Sequence, residues 1–266
     1  GRGVLGQFGP NHAVDNGVVV LDDNGLSILG ITRKYDNDAP AMAGGFAKFS
    51  RTQDGQYRFD RAAQIKTRTE EFFEEMISGS VDLLPEYQNR LESLIDAHVR
   101  GILAKRADGT MDDQQRAAIA EEVATELKLE QVQAIDPGFM DCLENHIGKG
   151  VESFAGPVLC DGRNTNTAWI ESRVTCVAFN DAIWSGIKGK RPPFDYRLAG
   201  GDDASSVVYH KVGAPLIENA YASHGAMIAF TLATYLLQTQ ARGEILPDHA
   251  MAQIEDVAAF LKPYRR

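Results

Sequence analysis

Cysteine is nearly absent. Cys142, Cys160 and Cys176 are an odd number and show no CxxC spacing, which argues against both a disulfide framework and a zinc site. Buried thiols in a reducing compartment are the remaining reading, so an intracellular location, the cytoplasm foremost, is expected. Basic residues are in deficit as well, with 27 Lys and Arg against 37 Asp and Glu and a formal net charge of −10. Nucleic acid is thereby set aside as a partner, because phosphate backbones call for a basic face. A polyanionic ligand stays open where divalent cations supply the positive charge. Long apolar runs are missing too. The longest, "GAMIAFTLATYLL" at 225–237, is too short to span a bilayer and reads as a buried helix, so no membrane insertion is expected. There is no internal repeat and no low-complexity tail. The chain opens on Gly1 instead of Met, and processing or trimming is expected.

What is present suits a globular protein: 266 residues, 44% hydrophobic and 24% charged, enough for one large domain or two modest ones. Residues 1–60 are glycine-rich and strand-like, and "GVVVLD" (17–22) joins "LSILGIT" (26–32) through "DNG", a hairpin signal. Residues 61–148 repeat their apolar positions at helical spacing over three segments, the last two separated by "ADGT". Strands return over 151–209, where "AWIESRVTCVAF" alternates. Two helices close the chain at roughly 214–241 and 248–261. The pattern predicts a mixed α/β (α+β) fold with a helical insertion at about 79–148.

Several stretches carry chemistry. In "TEEFFEEM" (69–76), Glu71, Glu74 and Glu75 share one helix face while Phe72 and Phe73 dock into the core. Glutamates so clustered suit Mg²⁺ or Mn²⁺, whose shells are completed by phosphate oxygens and water; a solvated acidic stripe is the alternative. "AMAGGFAKF" (41–49) carries Gly44 and Gly45, either an ordinary turn or a loop approaching a phosphate or metal-bound ligand. His12, after Pro10 and Asn11, reads as a structural hydrogen-bonder or a catalyst. "GRNTNTAWIES" (162–172) is a polar loop running into a strand, either a turn or a site reading a phosphate-bearing ligand. Asp202 and Asp203 precede a strand and could cap or turn the chain. Ser223 is expected to cap a helix, with Tyr221 and His224 beside it.

The joint order of "GRGVLGQFGPNH", the Gly-Gly pair, the Glu-rich helix, "RNTNTAWIE", "GDDA" and "YASH" resembles one branch of the Nudix hydrolases. That branch holds the mitochondrial-type ADP-ribose pyrophosphatases and the Nudix-homology domain of the melastatin-like, ADP-ribose-gated cation channel. The resemblance runs from Gly1 to about Leu237, apart from the insertion. It implies a single domain over 1–266 with a mixed sheet sandwiched between helices, and Mg²⁺-assisted hydrolysis of ADP-ribose to AMP and ribose 5-phosphate.

Glu71-Phe72-Phe73-Glu74-Glu75 matches the E-U-x-E-E core of the family signature, so the resemblance makes Glu71, Glu74 and Glu75 metal-binding and catalytic. Glu70 stands where the family has Arg, Ile77 replaces the final Gly, and a longer segment around "SRTQDGQYRFD" separates the glycines from the helix. Lys66 or Arg68, one turn back, are candidates to take the place of that Arg. The resemblance assigns Asn11, Asp161, Arg163, Asp202 and Tyr221 to the ADP-ribose pocket, with His12, Gly44 and Gly45 as further substrate contacts. Arg163 offers a planar fork for phosphate or a ribose diol, and Glu171 is a candidate to polarise water or bind metal. The altered signature keeps two other readings open: a module that binds ADP-ribose without cleaving it, and a hydrolase of another nucleoside diphosphate derivative. For the insertion, a cap over the site, a homodimer interface and plain structural elaboration are all open.

Overall fold

The structure, a computed structural model, describes residues 5, 9–34, 36–47, 50–51, 57–58, 60–104, 110–158, 161–189, 194–201 and 204–262. The chain begins with β1 (Gly9–Asp22), β2 (Gly25–Arg33), β3 (Pro40–Ala41), β4 (Ala43–Phe46) and the two-residue strands β5 (Ser50–Arg51) and β6 (Tyr57–Arg58). Four helices follow: α1 (Arg61–Met76), α2 (Pro85–Leu103), α3 (Asp113–Ile135) and α4 (Pro137–Gly148). Then come β7 (Val151–Pro157), β8 (Ala168–Phe179), α5 (Asp181–Lys188) and β9 (Ala204–Lys211), and finally α6 (Ala214–Asn219), α7 (His224–Ala241) and α8 (Asp248–Leu261).

The DNG turn works as its residues allow. Gly25 takes φ +114°, and Asp22 Oδ1 accepts the Asn24 N–H at 2.7 Å, closing the β1–β2 hairpin with Asp22 opposite Gly25. β1 starts well before the expected strand at 17–22, because β8 pairs with it in parallel from Gly9↔Ala168 to Val20↔Phe179. The edge of β1 that pairs with β2 over Val18–Asp22 pairs with β4 over Ala13–Asn16. β1 and β2 therefore splay apart, and the segment carrying the glycine pair fills the gap. Gly44 and Gly45 are thus strand residues, not the loop or turn expected. With β7 on β8 and β9 on β2, both antiparallel, the result is a seven-stranded mixed sheet.

Alternation along the strands sends side chains to two cores. Val18, Val20, Leu29 and Ile31 meet Phe72, Phe73 and Met76 of α1, Phe139 of α4 and Trp184 of α5. Val19, Leu26, Ile28 and Val174 meet Met227 and Leu232 of α7 and Val257 of α8. This is the mixed α/β (α+β) architecture that the pattern implied, a sheet between two helical layers.

The helical middle is not one unit. Ile95 and Val99 of α2 bury against Ile119, Val123 and Leu127 of α3, so this pair closes its own apolar seam. The end of α3 (Leu129, Val132) and all of α4 instead join the core beneath the sheet, where Tyr196 stacks on Phe139 at 3.8 Å between ring centroids.

Three further expectations need correction. A helix, α5, interrupts the stretch read as strands, its start capped where Asn180 Oδ1 accepts the Ile183 N–H at 2.9 Å. The expected helix at 214–241 is two, broken at Ala220–Ser223, where Ala222 takes φ +46°. Ser223 does stand at the N-cap position of α7, yet its side chain makes no capping hydrogen bond. Cys142 and Cys176 are free thiols, and burial pushes Cys176 up to about 12; Cys160 lies outside the described residues. Among the described residues, no helix is long and apolar enough to cross a membrane.

Candidate functional site

β4 forms a window in the sheet. Because neighbouring strand residues face opposite ways, a Cβ on Gly44 would collide with the Val14 carbonyl and the Asp15 carboxylate, and one on Gly45 with the Glu71 carboxylate. With both side chains absent, carboxylates from the two faces of the sheet converge. Glu75 comes from the α1 side, and its Oε2 accepts the Gly44 N–H at 2.8 Å. Asp15 comes from the α7 side. Asp60 caps the start of α1, its Oδ1 accepting the Ala63 N–H at 2.9 Å. The last carbonyls of α1 are also closed: Glu74 O accepts from Ser78 Oγ at 2.6 Å, Glu75 O from Gly201 N at 3.2 Å and Met76 O from Ala199 N at 2.9 Å. The glutamates thus stand on a helix tied down at both ends.

The window opens into a cavity of about 290 Å³. Its lining holds the carboxylates of Asp15, Glu71, Glu75 and Asp161. It also holds two guanidinium groups, Arg33 and Arg163, with the rings of Tyr221 and Phe46. Each guanidinium lies over a ring, Arg33 Cζ at 4.8 Å from the Tyr221 centroid and Arg163 Cζ at 5.4 Å from that of Phe46. Asp161 grips Arg163 by two parallel bonds, Nε–Oδ1 at 2.9 Å and Nη2–Oδ2 at 2.7 Å. These bonds hold the Asp161 carboxyl below the usual carboxylate range and raise the Arg163 guanidinium. One edge of the Arg163 fork is therefore occupied, and the residue is pre-positioned by Asp161.

Asp15 is held from two sides. Its Oδ2 accepts from Ser172 Oγ, and His224 Nε2 stands 4.0 Å from its Oδ1. His224 Nδ1 accepts the Met42 N–H at 2.9 Å, which leaves the ring proton on Nε2, facing the carboxylate. Burial keeps His224 below the ordinary imidazole range, with Asp15 opposing that effect.

Of the expected residues, Gly44, Gly45, Glu71, Glu75, Asp161, Arg163 and Tyr221 line this one cavity. Others lie elsewhere. Glu74, from the same helix face, is buried and not among the lining residues. Asn11 is buried at the start of β1, donating to Gly9 O at 3.2 Å and Trp169 O at 3.4 Å. His12 and Glu171 face each other across the β1–β8 register, Nδ1 to Oε2 3.8 Å, on the sheet face opposite Asp15; Trp169 Nε1 also donates to Glu171 at 3.0 Å. Asp202 lies outside the described residues. Lys66 pairs with Glu70 at 3.8 Å, and Arg68 turns away from the cavity to donate to Arg173 O at 3.3 Å.

The polar loop at 162–172 is partly self-supporting, since Asn164 Oδ1 accepts the Ile170 N–H at 2.9 Å and Thr165 N donates to Ala168 O at 2.7 Å. Asp15, Arg33 and Ser172 were not anticipated. Asp15 alone left a trace, a carboxylate in phase with the apolar alternation leading into "GVVV".

Among the described residues, no three His, Cys, Asp or Glu side chains are grouped to hold a metal ion. Mg²⁺, however, is commonly bound by one or two carboxylates, with phosphate oxygens and water completing its shell. Glu71 and Glu75, one turn apart and both facing the cavity, are a donor pair of that kind. They fit an ion arriving with a phosphate ligand and do not form a closed cage.

The fold and cavity define a mixed α/β protein with a pocket that brings four carboxylates and two guanidinium groups together. No family model matches the chain, and no curated protein matches it by sequence. Among solved structures it is similar to a bifunctional NMN adenylyltransferase/ADP ribose pyrophosphatase from Francisella tularensis, in a complex with AMP and a Mn ion (TM-score 0.38, 15% identity) and without them (TM-score 0.37, 16% identity). The match covers 88% of this chain but only 43% and 42% of those chains, so this chain spans less than half their length.

Proposed function

We propose that the cavity hydrolyses the diphosphate of ADP-ribose, releasing AMP and ribose 5-phosphate, with Mg²⁺ or Mn²⁺ held by Glu71 and Glu75. The observation that carries this reading is the pairing, in one cavity, of Glu71, Glu75 and Asp15 with Arg33, Arg163, Tyr221 and Phe46. A diphosphate joined to a base and a sugar needs all of these: carboxylates to share a cation with its phosphates, guanidinium groups for the remaining charge, and ring faces for the planar base. A divalent ion bound there would neutralise phosphate charge and lower the pKa of an attacking water.

The chain's own residues supply the rest. Arg163, set by Asp161, binds and orients the anionic ligand. Asp15, oriented by Ser172 and neutral His224, stands to take a proton from water. Val158, Ile170 and Met227 supply an apolar part of the lining.

Incubation with ADP-ribose, with and without Mg²⁺ or Mn²⁺, tests this reading; AMP is followed by chromatography and binding by calorimetry. Metal-dependent AMP release is expected. A second reading, a module that binds ADP-ribose without cleaving it, is favoured by Glu70, which stands where the resembled family has Arg and is paired with Lys66 at 3.8 Å. Binding without AMP release would select it.

A further inference from the structure

The N-terminal half of α1 borders a second cleft, of about 390 Å³, with a character unlike the rest of this acidic chain. At its floor lies Arg68, only 4% exposed. Arg68 Nη2 donates to Arg173 O at 3.3 Å, while its Nε has no hydrogen-bond partner among the described residues. Arg61 and Arg173 stand at the rim. The one carboxylate among the lining residues, Glu152, is engaged by Arg173 Nη1 at 2.8 Å. Arg61 Nη2 reaches the Gly148 carbonyl at 3.3 Å.

Three guanidinium groups thus line a cleft with one carboxylate among its described lining residues, in a chain of net charge −10. A buried guanidinium that attracts carboxylates only from a distance is costly unless something pairs with it. Here burial outweighs the pull of Asp15 and Glu152 and brings Arg68 down to about 10. The cleft also offers polar side chains, Gln64 and Thr175.

We propose that this cleft binds a phosphate group, with Arg68 at the floor and Arg61 and Arg173 closing on it from the rim. A dianion satisfies several guanidinium forks at once, as a single carboxylate does not. The site shares no lining residue with the cavity around Glu71 and Glu75, so it stands or falls independently of the hydrolase reading.

Calorimetric titration of the whole chain tests the proposal. Inorganic phosphate is titrated against chloride at matched ionic strength, and phenyl phosphate in a parallel arm. The double variant Arg61→Gln/Arg173→Gln changes only the rim, where the Arg173 side chain is 45% exposed, and so retains the fold; Arg163→Ala removes the anion-binding group of the other cavity. Phosphate is expected to bind the parent chain and Arg163→Ala alike, and the double variant at least about tenfold more weakly, the loss of one charge-assisted bond. Tighter binding of phenyl phosphate would identify a phosphorylated small molecule as the ligand, and tighter or equal binding of inorganic phosphate the free anion. No binding of either, undiminished binding by the double variant, or loss confined to Arg163→Ala would overturn the proposal.

Discussion

Asp15 has Ser172 on one oxygen and His224 near the other, and both neighbours are themselves fixed, Ser172 in β8 and His224 by the Met42 N–H. A carboxylate oriented in this way serves proton transfer, so Asp15→Asn is expected to lower kcat by about 10²–10⁴-fold, with metal affinity unchanged by calorimetry. Glu75→Gln is expected to lower turnover as far and to weaken Mn²⁺ binding as well, which separates the two roles in one pair of assays. If Arg163 holds the substrate as proposed, Arg163→Ala is expected to lose a contact worth about 1.5–3 kcal/mol, or about tenfold to a hundredfold in KM, with kcat near the parent value; steady-state kinetics over ADP-ribose concentration check this. Glu71 and Glu75 were legible because both fall on one helix face, a short-range property. Asp15 was not, since its neighbours Ser172 and His224 come from distant stretches of chain.

The glycine pair matters through the strand that carries it. A methyl group on Gly45 meets the end of the Glu71 side chain, which can swing aside, whereas one on Gly44 meets the Val14 carbonyl, which cannot. Gly45→Ala is therefore expected to fold and to lose at least about tenfold in turnover, because a displaced ligand loses metal-binding geometry. Gly44→Ala is expected to lose about 1–3 kcal/mol of stability, as other overpacked sites do. Thermal melts and turnover on the same samples distinguish the two. The pair stood out in sequence as permissive backbone, but its place within the sheet depends on β1 and β2 parting beyond Val18 and Leu29.

Across the whole molecule, His146, His210 and His224 are each held below the ordinary value of 6.5, in every case chiefly by burial. A group whose folded value is depressed takes up its proton first in the unfolded chain. The stability present above about pH 6.5 is thus lost as pH falls through the folded values. Denaturant midpoints measured from pH 7.5 down to pH 5 are expected to decrease, with the slope easing when His210 and His146 are replaced by Gln. Separately, the α2–α3 pair carries its own seam, and no described residue of 79–148 lines the cavity. Leu127→Ala should cost about 2–5 kcal/mol in hydrogen-exchange protection of α2 and α3, while ADP-ribose turnover stays within twofold.

The residue pattern alone determined the α/β class, the DNG hairpin, the strand at 168–179, the long helices and the glutamate face of α1. Each is encoded by periodicity or turn chemistry within a few residues, where near neighbours dictate the backbone. Only the tertiary structure decided that α5 interrupts the strands, that the helix expected at 214–241 breaks at Ala222, and that Asp15, Arg33 and Ser172 join the cavity. It also separated His12 and Glu171 from Asp15, because successive strand residues face opposite sides of a sheet whose pairing joins segments far apart in the chain.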